Sequence, residues 1–174
     1  MTQEAIEEVE NNYPPETNPV LIIAREGWNT GVVGIVASKL VEKYYRPTIV
    51  LSIDREKGTA KGSARSIPGF DLFQNLSLNR ELLPHFGGHP MAAGMTLKIE
   101  DVEELRQRLV NQANEILTEE DFQPVTEIDS LVAIDEISLT LIQQMSQLAP
   151  YAMQNPKPRI LTEDASITTS RKNR

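Results

Sequence analysis

The chain has 174 residues, of which 40% are hydrophobic and 24% are charged, a composition typical of a globular protein with a buried core. Cysteine is absent, which excludes disulfides and thiolate metal sites. No apolar run approaches the roughly 18 residues of a membrane helix. The acidic N-terminus is unlike a signal peptide, so we expect a cytoplasmic protein without a membrane partner.

The formal net charge of −8 argues against a phosphate-rich partner, but the charge is unevenly distributed. Residues 39–66 contain seven basic and three acidic side chains. This zone favours a local anion-binding surface, although a solvated helix face followed by a polar turn would have the same composition.

The first 44 residues predict a linker, a strand and a helix. Residues 1–18 join an acidic helical stretch to two prolines and are typical of a linker. The continuous apolar run 20–24 predicts a buried strand. Asn29 or Thr30 is available as the N-cap of the helix that follows. Its apolar face comprises Val33, Val36, Ala37, Leu40, Val41 and Tyr44.

Gly31 and Gly34 lie in the first turn of this predicted helix. Free N–H groups and the positive end of the helix dipole favour an anion there. Close packing of the helix against a neighbouring strand would explain the same two glycines equally well.

A second buried strand, 48–53, is expected to lie parallel to the first, and residues 59–66 to return as a hairpin. Gly62 and Ala64 are too small to fill a core, which suggests a close approach by another group. The alternative is an edge strand protected by charge. Ser63 and Ser66 supply hydroxyl groups and Arg65 supplies a guanidinium group, all of which are suited to phosphate oxygens.

Asp71 is placed to cap a short helix, and residues 92–99 resemble a further strand. Asp101 and Glu104 form a capping-box pattern that opens an amphipathic helix with a polar outer face. A last strand is predicted at 127–134.

Ser138 is predicted to cap another helix, and the proline-rich segment 150–158 is predicted to be a connector leading to a possible strand at 159–161. Strands and helices alternate from 19 to 148, which predicts an α/β domain with a small mixed sheet flanked by helices.

The stretch 86–94 combines Gly87, Gly88 and His89 with small residues. Glycines allow close backbone approach, and successive N–H groups in a turn form a concave anion site. The plain structural alternative is a glycine turn that packs a strand against a helix.

Taken together, these motifs resemble the C-terminal part of RecJ-like single-strand-specific DNA exonucleases, members of the DHH phosphoesterase superfamily. The matching segments are Glu26–Trp28, Gly31–Ser38, Tyr45–Pro47, Lys61–Ser66, Gly69–Leu72, Phe86–His89 and Ala92–Gly94. Two later segments, Leu148–Tyr151 and Asn155–Pro158, resemble the lead into an OB-fold.

The resemblance implies an upstream domain whose Asp-His-His motif binds two Mn²⁺ or Mg²⁺ ions, and a smaller DHH-associated domain that holds nucleic-acid phosphates. This chain has no such motif and only two histidines. We therefore expect an excised piece with a linker at 1–18, the DHH-associated domain at 19–148, and a connector with a truncated OB-fold at 149–174. Its expected partners are single-stranded DNA and the catalytic and OB-fold domains of the same enzyme.

Residue by residue, the resemblance assigns phosphate contacts to Ser63 and Arg65, and a phosphate-facing turn to Gly87, Gly88 and His89. It places no catalytic residue and no metal ligand in this chain. Further candidate contacts are Trp28, Thr30, Gly31 and Ser66. Trp28 could stack on a base, but a single tryptophan after a buried strand is more often part of the core. His85 falls outside the motif and is expected at the surface or at a helix end.

The sequence departs from the family pattern at two places. Asn29 and Thr30 replace a common His-Pro, so a polar role specific to that histidine is not expected here, while an N-cap is retained. Ala152 and Gln154 replace glycines of the connector, so its turn geometry is expected to differ.

Three functions remain open at this point. The first is substrate binding in an exonuclease that degrades single-stranded DNA from the 5′ end in recombination and repair. The second is the same role in a small-substrate phosphodiesterase that acts on short oligonucleotides or cyclic dinucleotides. The third is a non-catalytic module that contacts a partner through the acidic helix 101–117.

Overall fold

The computed structural model describes residues 1–152 and 154–166. These residues form two compact units that divide between Pro124 and Val125. The boundary predicted from the sequence lies near residue 148, whereas in the structure residues 125–148 belong to the second unit.

The first unit contains a five-stranded mixed sheet with the order β1-β2-β3-β5-β4. β1 and β2 are parallel, and every other pair in this sheet is antiparallel. The strands are β1 Leu21–Glu26, β2 Thr48–Asp54, β3 Thr59–Arg65, β4 His85–His89 and β5 Ala92–Lys98. The helices are α1 Thr2–Asn12, α2 Val33–Tyr44, α3 Leu72–Ser77 and α4 Val102–Ile116. The predicted α/β class, a small mixed sheet flanked by helices, is confirmed.

Local sequence explains where several helices begin. The Asp71 carboxylate accepts the Gln74 N–H at 3.0 Å and caps α3, as predicted. Two other caps were predicted wrongly. Val32, not Asn29 or Thr30, precedes α2, and Asp101 precedes α4 without forming a side-chain cap.

The two faces of the sheet bury separate apolar clusters. On one face, α1 and α2 pack on β1 and β2, where Leu21, Ile23 and Val50 are fully buried. On the other face, α3 and α4 pack across the sheet in a larger cluster. Its fully buried side chains include Ile22, Leu51, Phe70, Leu97 and Leu105. The first cluster extends over only part of the sheet's width, which leaves the remainder of that face open.

The structure corrects the interpretation of residues 1–18 as a linker. Ala5 and Val9 of α1 are both 0% exposed and belong to the core shared with α2. The Arg106 guanidinium lies 4.1 Å from the centre of the Tyr13 ring, and Arg46 donates to the Pro15 carbonyl at 3.3 Å. The N-terminal segment is therefore a packed part of the first unit.

In the second unit, two short strands, β6 Ser130–Leu131 and β7 Ile160–Leu161, pair in parallel. The strand predicted at 127–134 is thus only two residues long and does not join the main sheet. Asp129 explains this pairing, because its N–H donates to the Arg159 carbonyl at 2.9 Å and its carboxylate accepts the Arg159 N–H at 2.8 Å. Residues 167–174 of the predicted tail lie outside the described residues.

Helix α5, Leu139–Ser146, also belongs to the second unit, and the Ser138 hydroxyl caps it by accepting the Leu141 N–H at 3.1 Å, as predicted. The connector after it contains an isolated bridge between Ala152 and Asn155. Within the described ranges, none of the helices is both long enough and apolar enough to cross a membrane.

We expect Val9→Ala to lower the free energy of unfolding by about 2 kcal/mol, because it removes buried methyl groups and leaves a cavity. Chemical denaturation followed by the fluorescence of Trp28 measures this. Glu7→Ala, at an exposed position of the same helix, is the control. Equal stability of the two variants would show that α1 does not contribute to the core.

Candidate functional site

The open half of the sheet face carries polar and small side chains. Burial alternates along β3 and β5, as expected for strands with one covered and one open face. The covered side includes Ala60, Ala64, Ala93 and Leu97, which are all buried. The opposite side is the continuation of the face on which α1 and α2 pack.

Strand register arranges this open side as three rows across β3, β5 and β4. The rows are Arg65–Ala92–His89, Ser63–Gly94–Gly87 and Lys61–Thr96–His85. The middle strand contributes only small side chains, so a groove runs along β5 between walls formed by β3 and β4. Adjacent strands are about 4.8 Å apart and every second residue about 7 Å apart, so the groove is about 10 Å wide with rows about 7 Å apart.

Ser63 and Arg65 lie on the same wall of the groove, as their spacing of two residues requires. Arg65 donates to the Ala64 carbonyl at 2.7 Å. A Cβ atom at Gly34 would lie 3.1 Å from Nη2 of Arg65 and 3.5 Å from Oγ of Ser63. Gly34 therefore allows the first turn of α2 to approach these two side chains, which favours the packing explanation of this glycine.

His89 stands on the opposite wall and is exposed. It and Arg65 are both cross-strand neighbours of Ala92, so the two side chains flank the same small residue. The Met91 N–H lies 3.4 Å from His89 Nδ1, which accepts from it. In the neutral ring this leaves the Nε2–H available as a donor.

Gly87 and Gly88 do not form the predicted turn, because both lie within β4 and pair with β5. Their roles differ. A Cβ at Gly87 would meet no atom within 4 Å, whereas one at Gly88 would lie 2.3 Å from the Ala92 carbonyl oxygen. Gly87 keeps the groove open, while Gly88 is required by the backbone of the neighbouring strand.

Gly62 is likewise explained by the sheet. A Cβ there would lie 1.9 Å from the Val50 carbonyl oxygen, so the close neighbour is the paired strand β2.

Three of the additional candidates are corrected. Trp28 is only 6% exposed, and its Nε1–H donates to Glu4 at 3.1 Å, so its ring is part of the core and unavailable for base stacking. The Ser66 side chain is buried, and its hydroxyl donates to the Phe70 carbonyl at 2.6 Å. The Gly31 N–H donates to the Asn29 side chain at 2.8 Å and is already satisfied.

Thr30, by contrast, is exposed and lines an open cleft of about 570 Å³ at the Lys61 end of the groove. The same cleft is lined by Lys61, Arg80, His85 and Thr96, which the sequence reasoning did not select. The alternation Lys61, Ser63, Arg65 was a usable signal for the first of these. His85 and Thr96 could be found only from the register of β4 with β5.

The predicted basic zone resolves largely into paired charges. Four of its basic side chains each place a nitrogen 2.6–2.7 Å from a carboxylate oxygen. They are Lys39, Lys43, Arg55 and Lys57. Hydrogen bonds from the lysines lower the pKa values of Glu10, Glu42 and Asp54.

Arg46 is stacked over the Phe122 ring, 3.7 Å from its centre. Lys61 and Arg65, by contrast, form none of the ion pairs found within residues 1–152 and 154–166, and both face the groove.

Residues 17–115 match the family model of the DHHA1 domain, more than half of the chain. The chain belongs to the DHHA1 domain family. Residues 128–173 match the RecJ OB domain model, so the resemblance inferred from the motifs is confirmed.

Two similar proteins are both named single-stranded-DNA-specific exonuclease RecJ. The chain is 58% identical over 172 residues to the single-stranded-DNA-specific exonuclease RecJ of Bacillus subtilis, covering 99% of this chain and 22% of that protein. It is 34% identical over 135 residues to RecJ of Dickeya dadantii, covering 75% of this chain and 23% of that protein. The chain thus spans about a fifth of the length of these relatives.

Among solved structures, RecJ from Thermus thermophilus in complex with Mn²⁺ is similar with a TM-score of 0.75 at 22% identity. The match covers 92% of this chain and 23% of that chain. At this identity the likeness is evidence for the fold alone.

The two metal ions implied by the resemblance do not fit the side chains of this DHHA1 chain. In the part that the structure describes, no three His, Asp or Glu side chains come close enough together to hold a metal ion. His85 and His89 stand two rows apart on the same wall without nearby carboxylates in those rows. The groove supplies hydrogen-bond donors and positive charge.

Two glycines of the DHHA1 domain give a matched test of the groove geometry. We expect Gly62→Ala to lower the free energy of unfolding by at least about 2 kcal/mol, because its Cβ would overlap the backbone of β2. Gly87→Ala adds a methyl group to open space and is expected to change it by less than about 0.5 kcal/mol. Thermal and chemical unfolding measure both. A large loss in Gly87→Ala would show that β4 is packed against something on the groove side.

Proposed function

We propose that the groove of this DHHA1 domain binds the backbone phosphates of single-stranded DNA. In this proposal the chain is the substrate-binding part of a RecJ-like exonuclease that degrades single strands from the 5′ end. The observation that carries the proposal is the row Arg65–Ala92–His89, where two donor side chains face each other across one small residue.

The donor types suit phosphate. Arginine presents a planar fork that matches two phosphate oxygens, and hydroxyl and imidazole groups add single hydrogen bonds. None of the nine residues in the three rows is acidic. Because the rest of the chain carries the excess of negative charge, these rows repel a polyanion less than the average surface of the chain does.

The dimensions suit one strand of nucleic acid. A groove about 10 Å wide with a floor of small side chains admits a single sugar–phosphate chain and leaves its bases free to project outward. Contacts limited to the backbone bind independently of base sequence, as an exonuclease requires.

The match of residues 128–173 to the RecJ OB domain supports the exonuclease over the small-substrate phosphodiesterase. In this proposal, digestion from the 5′ end, a role in recombination and repair, and a cytoplasmic location follow from the family resemblance. Hydrolysis itself would take place at Mn²⁺ or Mg²⁺ ions held by the catalytic domain of the whole enzyme, with this domain positioning the strand.

We expect the chain to bind a single-stranded oligonucleotide weakly, with an affinity that falls as salt rises. Arg65→Ala should weaken binding about tenfold or more and reduce the slope of log affinity against log salt by about one, because one charged phosphate contact is lost. Fluorescence anisotropy at several salt concentrations measures both quantities.

Lys39→Ala is the matched control, since it removes one positive charge from an exposed site where Nζ is 2.7 Å from Glu42. If Arg65→Ala binds no more weakly than Lys39→Ala, Arg65 is not a phosphate ligand.

We further expect the 174-residue chain to show no Mn²⁺-stimulated degradation of single-stranded DNA, because its described residues supply no metal ligand set. Gel analysis of a labelled oligonucleotide with and without Mn²⁺ tests this. Degradation that co-purifies with the chain and is abolished by His89→Ala would overturn the division of labour between substrate binding and catalysis.

A further inference from the structure

The row Lys61–Thr96–His85 repeats the arrangement of the row that contains Arg65. Lys61 and His85 are both cross-strand neighbours of Thr96, as Arg65 and His89 are of Ala92. Each row therefore places a basic side chain of β3 and a histidine of β4 on either side of a small or short residue. The two rows lie four residues apart along each strand, which corresponds to about 14 Å.

We propose that Lys61, Thr96 and His85 form a second phosphate site, which binds the phosphate two nucleotides away from the one held by Arg65. The proposal rests on the proposed function. The row spacing of about 7 Å is similar to the repeat of an extended sugar–phosphate chain, so a strand that follows β5 passes one row per nucleotide. The middle row, with Ser63, Gly94 and Gly87, takes the phosphate in between.

The groove side of this row suits an anionic ligand. On the other side, Lys61 and Thr96 border a cavity lined by Glu26 and Asp54, whose carboxylates are paired with Arg55 and Lys57. Lys61 and His85 are exposed, and Lys61 forms none of the ion pairs in the described part of the chain. The cleft of about 570 Å³ opens at this end of the groove. Arg80 lines the same cleft, and its guanidinium lies 5.5 Å from the centre of the Phe86 ring. This arginine adds positive charge beside the row.

With a second site, a ligand needs a minimum length to contact both sites at once. A ligand with two phosphates reaches only two adjacent rows, whereas one with three or more phosphates spans from Arg65 to Lys61. The affinity should therefore rise with length up to three phosphates and then level off, apart from the statistical gain of a longer chain.

The test measures the binding of 5′-phosphorylated oligothymidylates of two and four nucleotides to the 174-residue chain by NMR titration. We expect the parent to bind the tetranucleotide about tenfold more tightly than the dinucleotide. In the double variant Lys61→Gln/His85→Ala this ratio should fall to below about threefold. Because both side chains are exposed, we expect the thermal unfolding midpoint of the double variant to be unchanged. Measuring this midpoint verifies that the fold is retained.

Two further variants separate this proposal from the proposed function. Lys39→Gln should keep the parent ratio, since it changes the net charge away from the groove. Arg65→Ala should weaken the binding of both ligands. If Arg65→Ala does so but the double variant keeps the parent ratio, the second site is wrong and the proposed function stands. If neither variant changes the binding, or the parent binds neither ligand, both proposals are wrong.

Discussion

The groove depends on a mismatch in width between the sheet and the helices that cover one of its faces. A five-stranded sheet is broader than the layer formed by α1 and α2, whose core contacts come from β1 and β2. The first turn of α2 also reaches β3, where Gly34 lies beside Ser63 and Arg65. The side chains that this layer leaves uncovered cannot bury apolar groups, so they are polar or small. The opposite face is covered by α3, α4 and their loops, and the strand register then determines which side chains of β3, β4 and β5 face the groove. Polar chemistry on one side and a packed core on the other are thus two consequences of the same arrangement.

Glycine has different purposes at different positions of this sheet. Gly62 and Gly88 face the covered side, where the backbone of the next strand leaves no room for a side chain. Gly87 and Gly94 face the groove, where a larger residue would fill it. Gly34 lies on a helix and admits the Arg65 side chain beside it. A sequence motif with several glycines therefore combines positions required by the backbone of the sheet with positions that line the groove, and only the three-dimensional arrangement separates them.

Much of the first unit follows from the sequence. Apolar runs and the Asp71 cap predicted β1, β2 and α3, because these signals are local, and the ordered motifs identified the family. The groove was predicted only in part. Ser63 and Arg65 were selected from their chemistry, but the pairing of His89 with Ala92 depends on which strands are neighbours and in what register. Trp28 and Ser66 stayed open as candidate contacts for a related reason, since their burial is decided by α1 and by the loop at Phe70. The role of α1 itself was missed because its two core residues, Ala5 and Val9, are too few to mark a buried helix in an acidic stretch.

The position of β4 at the edge of the sheet makes the two walls of the groove mechanically unequal. β3 is held between two strands, whereas β4 pairs with β5 alone, and among its side chains only Phe86 packs against the core. An edge strand with so few anchors opens locally at a lower free-energy cost than an internal one. The groove therefore has one rigid wall, which carries Ser63 and Arg65, and one compliant wall, which carries His85 and His89. If the groove binds a nucleic-acid strand as proposed, the compliant wall adjusts to nucleotides of different size and sugar conformation, while the rigid wall keeps the strand in register.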